Sequence, residues 1–285
     1  MTTQHAEEIS PSDTDRFLGI VSKVPQVTLL FWVIKILATT VGETGGDALS
    51  MTLNLGYAVS TLIFLTFFVV GVAIQVIARR YHPFLYWFVV VTTTTVGTTM
   101  SDYLDRTLGL GYIRSSIILF LAVLALLFLW RRFTGAIKFE HITKGSDEVF
   151  YWVAILVSNT LGTALGDCVA DDTGLGFQRG ALIFAGLLVL VAAAHFFTGI
   201  PKSTIFWSAY VLTRPLGATL GDTLTKPLAM GGLNLSRITS SLVLAALMIV
   251  GILISLRNRK HSMAAGERRQ DPAPSDPERN RERGN

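Results

Sequence analysis

Residues 32–47 read WVIKILATTVGETGGD: a tryptophan, a run of apolar and small residues, and an aspartate 15 places on. The layout returns as WFVVVTTTTVGTTMSD over 87–102, WVAILVSNTLGTALGD over 152–167 and WSAYVLTRPLGATLGD over 207–222. Ten positions after each tryptophan stands a glycine (Gly42, Gly97, Gly162, Gly217), and 24 after it another (Gly56, Gly111, Gly176, Gly231). The tryptophans Trp32, Trp87, Trp152 and Trp207 are spaced by 55, 65 and 55 residues, and the ten extra residues fall in the polar stretch from Thr134 to Glu148. The pattern is a fourfold tandem repeat, arranged as two halves that are each already duplicates.

What surrounds the repeats is apolar. Hydrophobic residues make up 51% of the chain and charged residues 15%, against about 25% in a soluble domain, and the mean hydropathy is +0.51. Uncharged runs from Val59 to Ala78, Ser115 to Trp130 and Ile238 to Leu256 approach the ~20 residues a helix needs to cross a bilayer. Each repeat therefore predicts two membrane helices, one from the tryptophan past the aspartate and one after the second glycine. The expected fold is all-α: a polytopic bundle of eight transmembrane helices built from four parallel two-helix repeats. Residues 1–24 read as a polar cytoplasmic segment without the order of a cleavable signal peptide. Residues 25–132 form the first half, 133–148 a cytoplasmic linker, 149–257 the second half, and 258–285 a disordered cytoplasmic tail poor in large apolar side chains.

An even number of crossings puts both termini on one side. That side carries Arg79, Arg80, Arg131, Arg132, Lys138, Lys144, Lys202, Arg257, Arg259 and Lys260, whereas the opposite loops offer Arg106, Arg114, Arg179, Lys226 and Arg237. The positive-inside rule makes both termini cytoplasmic in a bacterial inner membrane, with the tryptophans as anchors at the cytoplasmic interface.

Positions 7, 11 and 15 after each tryptophan share a helix face. They hold Thr39, Glu43 and Asp47 in repeat one, Thr94, Thr98 and Asp102 in repeat two, Asn159, Thr163 and Asp167 in repeat three, and Arg214, Ala218 and Asp222 in repeat four. Beside them run the small-xxx-small pairs Gly42/Gly46, Gly97/Ser101, Gly162/Gly166 and Gly217/Gly221, which let helices pack backbone to backbone. An ionised carboxylate at the bilayer centre costs about 2.5–3.5 kcal/mol even on insertion scales, so the acids are expected to face one another or water. Asp47, Asp102, Asp167, Asp222 and Glu43, with the oxygens of Thr39, Thr94, Thr98, Asn159 and Thr163, would make a hard, net negative lining suited to a divalent cation. The competing structural reading sets each aspartate at its helix end, in the outer headgroup layer. Lys35 and Arg214 could pair with the acids, Lys35 alternatively snorkelling to the interface. The single cysteine, Cys168, allows no disulfide framework and reads as packing.

The Trp, Gly and Asp spacing, with GETGGD, GTTMSD, GTALGD and GATLGD closing the first helices, resembles a bacterial family of membrane proteins built from a fourfold repeat of unknown function, over about residues 24 to 257. That resemblance implies the eight-helix topology and no activity. Glu43, Gly46 and Asp47 are also similar to the acid-glycine-aspartate signature of calcium and manganese transporters, although the basic residue and hydroxyl that should follow the aspartate are missing.

No nucleotide-binding motif, HExxH pair or GxSxG appears, so neither an enzyme nor a nucleic-acid binder is expected, and no cofactor. The leading expectation is a secondary transporter or exporter of a small cation, most plausibly a divalent metal such as manganese. The alternatives are a carrier of a small organic or anionic solute with Arg214 as counter-charge, and a non-transporting structural protein. Partners are the bilayer and the solute, and a homo-oligomer is compatible with the pattern.

Overall fold

In the computed structural model, which describes residues 27–78, 82–134 and 145–270, every long element is a helix. The helices are α1 (Leu29–Asp47), α2 (Gly56–Ile77), α3 (Pro83–Asp102), α4 (Tyr112–Thr134), α5 (Gly145–Asp167), α6 (Phe177–Phe197), α7 (Lys202–Thr225) and α8 (Arg237–Gln270). Local chemistry sets the starts: the Thr28 hydroxyl accepts from the Phe31 N–H at 3.2 Å, and Pro83 opens α3 where its missing N–H costs nothing. The threonine run of α3 stays helical at membrane depth because its hydroxyls donate back into the helix, Thr92 to the Val89 carbonyl, Thr93 to Val90 and Thr95 to Val91, at 2.7–2.9 Å.

After the aspartate, α1, α3 and α5 each widen into a π-helical turn, Ala48–Thr52, Tyr103–Thr107 and Cys168–Asp172, whereas α7 ends in a short 3-10 turn, Leu228–Met230. The second glycine of each repeat then turns the chain with positive φ: 74° at Gly56, 72° at Gly111, 75° at Gly176 and 78° at Gly231. This left-handed conformation strains any residue with a Cβ, which is why the same residue type recurs at all four positions.

The first helices of the four repeats, α1, α3, α5 and α7, form a closed inner ring, with α7 meeting α1 as α1 meets α3. Each second helix packs outside the ring on the first helix of the following repeat: α2 on α3, α4 on α5, α6 on α7, and α8 back on α1. Gly71 of α2 lies against Val89, Gly180 of α6 against Thr219 and Gly251 of α8 against Ile34, while Trp130 of α4 stacks on Phe150 at 6.3 Å. Among the described residues, six helices are apolar and long enough to cross a membrane; α3 and α7 are not. They are flanked on both sides within the ring, so their polarity is turned inward rather than toward lipid. The outer helices bury little and expose side chains such as Leu62, Phe120, Leu182 and Leu242.

One rule closes the ring. A Cβ added to Gly42 would lie 2.2 Å from Thr94, to Gly97 2.9 Å from Asn159, to Gly162 2.4 Å from Arg214, and to Gly217 2.1 Å from Thr39. Each offset-10 glycine thus receives the offset-7 residue of the next repeat. The aromatic ends repeat the relation: Phe31 meets Trp87 at 5.6 Å, Tyr86 meets Trp152 at 5.9 Å, Tyr151 meets Trp207 at 6.2 Å and Phe206 meets Trp32 at 5.6 Å. Since all four tryptophan ends cluster, the inner helices run parallel.

The tryptophans, expected as interfacial anchors, cap one end of the inner ring, with Trp87 and Trp152 buried and Trp32 and Trp207 half-buried. Helix α5 begins at Gly145, inside the stretch read as linker, and α8 continues to Gln270, through half of the expected tail. The run of Ala, Glu, Lys and Arg there has high helix propensity, and α8 supplies a preformed end to extend. The N-terminal segment, residues 135–144 of the linker, the last 15 residues of the tail, and Arg79, Arg80 and Lys138 lie outside the described residues.

Candidate functional site

Four-residue steps stack the ring's inward residues into layers about 6 Å apart. From the tryptophan end these are Phe31, Tyr86, Tyr151 and Phe206; then Lys35, Val90, Ile155 and Tyr210; then Thr39, Thr94, Asn159 and Arg214; then Glu43, Thr98, Thr163 and Ala218; and finally the four aspartates. All are buried.

The third and fourth layers meet in one constellation. Arg214 Nη2 donates to Glu43 Oε2 at 2.9 Å, to Thr98 Oγ1 at 2.6 Å and to Thr163 Oγ1, so side chains from α7, α1, α3 and α5 share one point. Thr98 can then donate its own proton to Glu43 Oε2 at 3.1 Å. The carbonyls of Thr94 and Thr39 complete the cradle, 3.4 and 3.5 Å from the guanidinium. Arg214 Nε has no hydrogen-bond partner among the described residues. One layer toward the tryptophans, the fully buried Lys35 ammonium sits 4.2 Å from the centroid of the Tyr210 ring, also without a hydrogen-bond partner. Lys35 therefore neither snorkels nor pairs with an acid; the ring face of Tyr210 is its neighbour.

Thr39, Thr94 and Asn159 do different work from the lining role expected of them. Thr39 and Thr94 donate within their own helices, to the Ile36 and Val91 carbonyls at 2.8 Å, and approach the Thr213 and Ala38 carbonyls of the neighbouring helices at 3.2 Å, while Asn159 Nδ2 donates to Thr93 Oγ1 at 3.1 Å. The cross-helix contacts stitch adjacent inner helices at the glycines. Thr98 and Thr163 are the two neutral members that join Arg214 and Glu43.

The aspartates are buried within the ring, with Asp47, Asp102 and Asp167 each closing its helix, and bases thread the layer. Lys226 hydrogen-bonds Asp47 at 3.2 Å and lies 3.3 Å from Asp222. Arg106 Nε lies 3.0 Å from Asp102, and its Nη2 3.9 Å from Asp167. Arg237 of α8 lies 3.5 Å from Asp47. Arg106 also donates to the hydroxyls of Tyr57 and Tyr112, each at 3.2 Å.

Basic side chains reach the acids expected to make a net negative lining: Arg106, Arg214, Lys226 and Arg237 each lie within 4 Å of one or another of Glu43, Asp47, Asp102, Asp167 and Asp222. Three of those bases look like outer-loop residues in the sequence. Their signal is present: Arg106 and Lys226 stand four residues after Asp102 and Asp222, on the same helix face. Arg237 carries no comparable mark, since only the docking of α8 on α1 brings it to Asp47. Among the described residues, no three His, Cys, Asp or Glu side chains converge in a way that could hold a metal ion.

A family model described as a repeat of unknown function, DUF347, matches residues 30–81, 85–136, 150–200 and 205–261, four copies in tandem. The chain belongs to the DUF347 repeat family. Each DUF347 copy spans one inner helix and the outer helix that follows it in sequence, whereas in space that outer helix covers the next copy. No curated protein and no solved structure matches the chain.

Proposed function

We propose that this DUF347 protein is a secondary transporter that moves a small anionic solute across the membrane along the axis of its inner ring. The observation that carries the reading is the trio Lys35, Glu43 and Arg214, at most 2% exposed, in the middle of a membrane bundle. Charges at that depth are costly and are retained where a solute or proton is handled. The Arg214 guanidinium, with its Nε unpaired among the described residues, favours an anion at the central layers. The ring offers two ends of different character, an aromatic cap at the tryptophans and an ion-paired cap at the aspartates.

The divalent-cation reading keeps one supporting observation, the ring of four inward aspartates, and loses weight because bases thread that ring. Without a nucleotide-binding motif, an ion or proton gradient would drive transport. The same reading puts the protein in a bacterial cytoplasmic membrane with both termini cytoplasmic, supported by the basic residues near the tryptophan ends.

Proteoliposomes test it. Labelled pyruvate should enter vesicles containing the protein faster than protein-free vesicles, more so under an inward proton gradient. Entry of manganese, read by an internal fluorophore, without entry of pyruvate would overturn the anion reading in favour of the cation one. Movement of neither would overturn both.

A further inference from the structure

The geometry points to Arg214 as a carboxylate-binding residue whose place Glu43 holds in exchange for a proton, so that one solute carboxylate enters as Glu43 is protonated. This inference rests on the anion reading above and names the group recognised and the residue that couples it.

A guanidinium presents two bidentate edges, Nη1 with Nη2 and Nε with Nη2, each matched to a carboxylate. Glu43 takes one nitrogen only. Its Oε2 meets Nη2 at 2.9 Å, while Nε, on the same edge, has no hydrogen-bond partner. A buried N–H left unpaired costs about 1–3 kcal/mol, and here it belongs to the most buried arginine of the bundle. An incoming carboxylate that used both Nε and Nη2 would satisfy that donor and out-compete the one-pronged glutamate. Lys35, one layer away, also lacks a hydrogen-bond partner and sets a second basic side chain beside this point.

Displacing an ionised glutamate into the membrane interior would be costly. Taking up one proton converts Glu43 to a neutral carboxylic acid, which can donate to the Thr98 or Thr163 hydroxyl already at the same point. The exchange leaves the site's net charge unchanged: one proton and one anion enter together. No covalent bond is made or broken. The charged groups around Glu43 are Lys35 and Asp47 on its own helix, Asp102 on α3 with Arg106 after it, Asp167 on α5, Arg214 and Asp222 on α7 with Lys226 after it, and Arg237 on α8, which with Lys226 pairs with Asp47. None of them but Arg214 is paired with Glu43.

The test uses the full-length protein in nanodiscs and sodium formate, the smallest carboxylate, which fits the edge whatever tail the natural solute carries. Formate should raise the melting temperature of the wild type, and each bound formate should take up one proton from weakly buffered solution. Glu43→Gln, a mimic of the protonated acid, should bind formate without proton uptake. The double variant Glu43→Gln with Arg214→Gln, which leaves no unpaired charge in the pair and so keeps the fold, should not bind formate. Absence of formate binding to the wild type, unchanged proton uptake in Glu43→Gln, or wild-type binding by the folded double variant would each overturn the inference. Failure of the transport reading looks different: formate binds with a proton, but vesicles move no pyruvate. Pyruvate movement with proton coupling intact in Glu43→Gln would instead remove the exchange and leave transport standing.

Discussion

Alanine at Gly217 is expected to open the inner ring. The added Cβ would sit 2.1 Å from Thr39 Oγ1, 2.5 Å from its Cβ and 2.9 Å from its backbone carbonyl carbon, so no side-chain rotation relieves it and α7 must move off α1. Overpacking of this kind costs about 1–3 kcal/mol, and contact with backbone puts Gly217→Ala at the upper end. The gain of ~1 kcal/mol from replacing glycine inside a helix leaves a net loss of roughly 2 kcal/mol. Gly45 is the control, because its added Cβ would meet only Ser241 Oγ at 4.0 Å, and Gly45→Ala should be neutral or more stable by up to ~1 kcal/mol. At roughly 2–4 °C per kcal/mol, the two variants should melt some 6–12 °C apart in detergent. Adding Thr39→Gly to Gly217→Ala removes the two shortest contacts and should recover part of the loss, a coupling absent between Thr39→Gly and Gly45→Ala. A Gly217→Ala protein that melts with or above Gly45→Ala would refute the close-contact ring.

Gly56→Ala probes backbone strain alone, since its Cβ would meet nothing within 4 Å but φ is 74°; a loss of about 1–2 kcal/mol by thermal unfolding is expected. Glu43→Gln keeps the shape of the central site but leaves Arg214 uncompensated, so a loss of about 3–5 kcal/mol is expected in the same assay, with Arg214→Gln in the same chain restoring part of it. Lys226→Met removes the cation shared by Asp47 and Asp222; its melting temperature should fall, because both carboxylates lose their nearest positive partner. Manganese should not shift the melting temperature of the wild type, given that no three acids converge among the described residues; a saturable shift lost in the Asp47, Asp102, Asp167 and Asp222 to Asn variants would revive the cation reading.

The sequence by itself determined the fourfold repeat, the eight helices and the polar stripe, because each is a local regularity. Spacing survives any packing, an apolar run has one solvent it can face, and offsets 7, 11 and 15 share a helix side wherever the helix goes. The small residue at offset 10 was legible as a packing position for the same reason. Its partner was not, since Thr94, Asn159, Arg214 and Thr39 reach those glycines from the next repeat. Tertiary structure alone decided that α7 returns to α1, that every outer helix covers the following repeat, and that α8 carries Arg237 to Asp47. It also decided the chemistry. The acids appear in sequence as five charges with two bases, and gain most of their basic neighbours only when the ring folds Arg106, Lys226 and Arg237 among them. Charge compensation is a sum over neighbours in space, and a linear pattern holds only those neighbours that fall one helical turn apart.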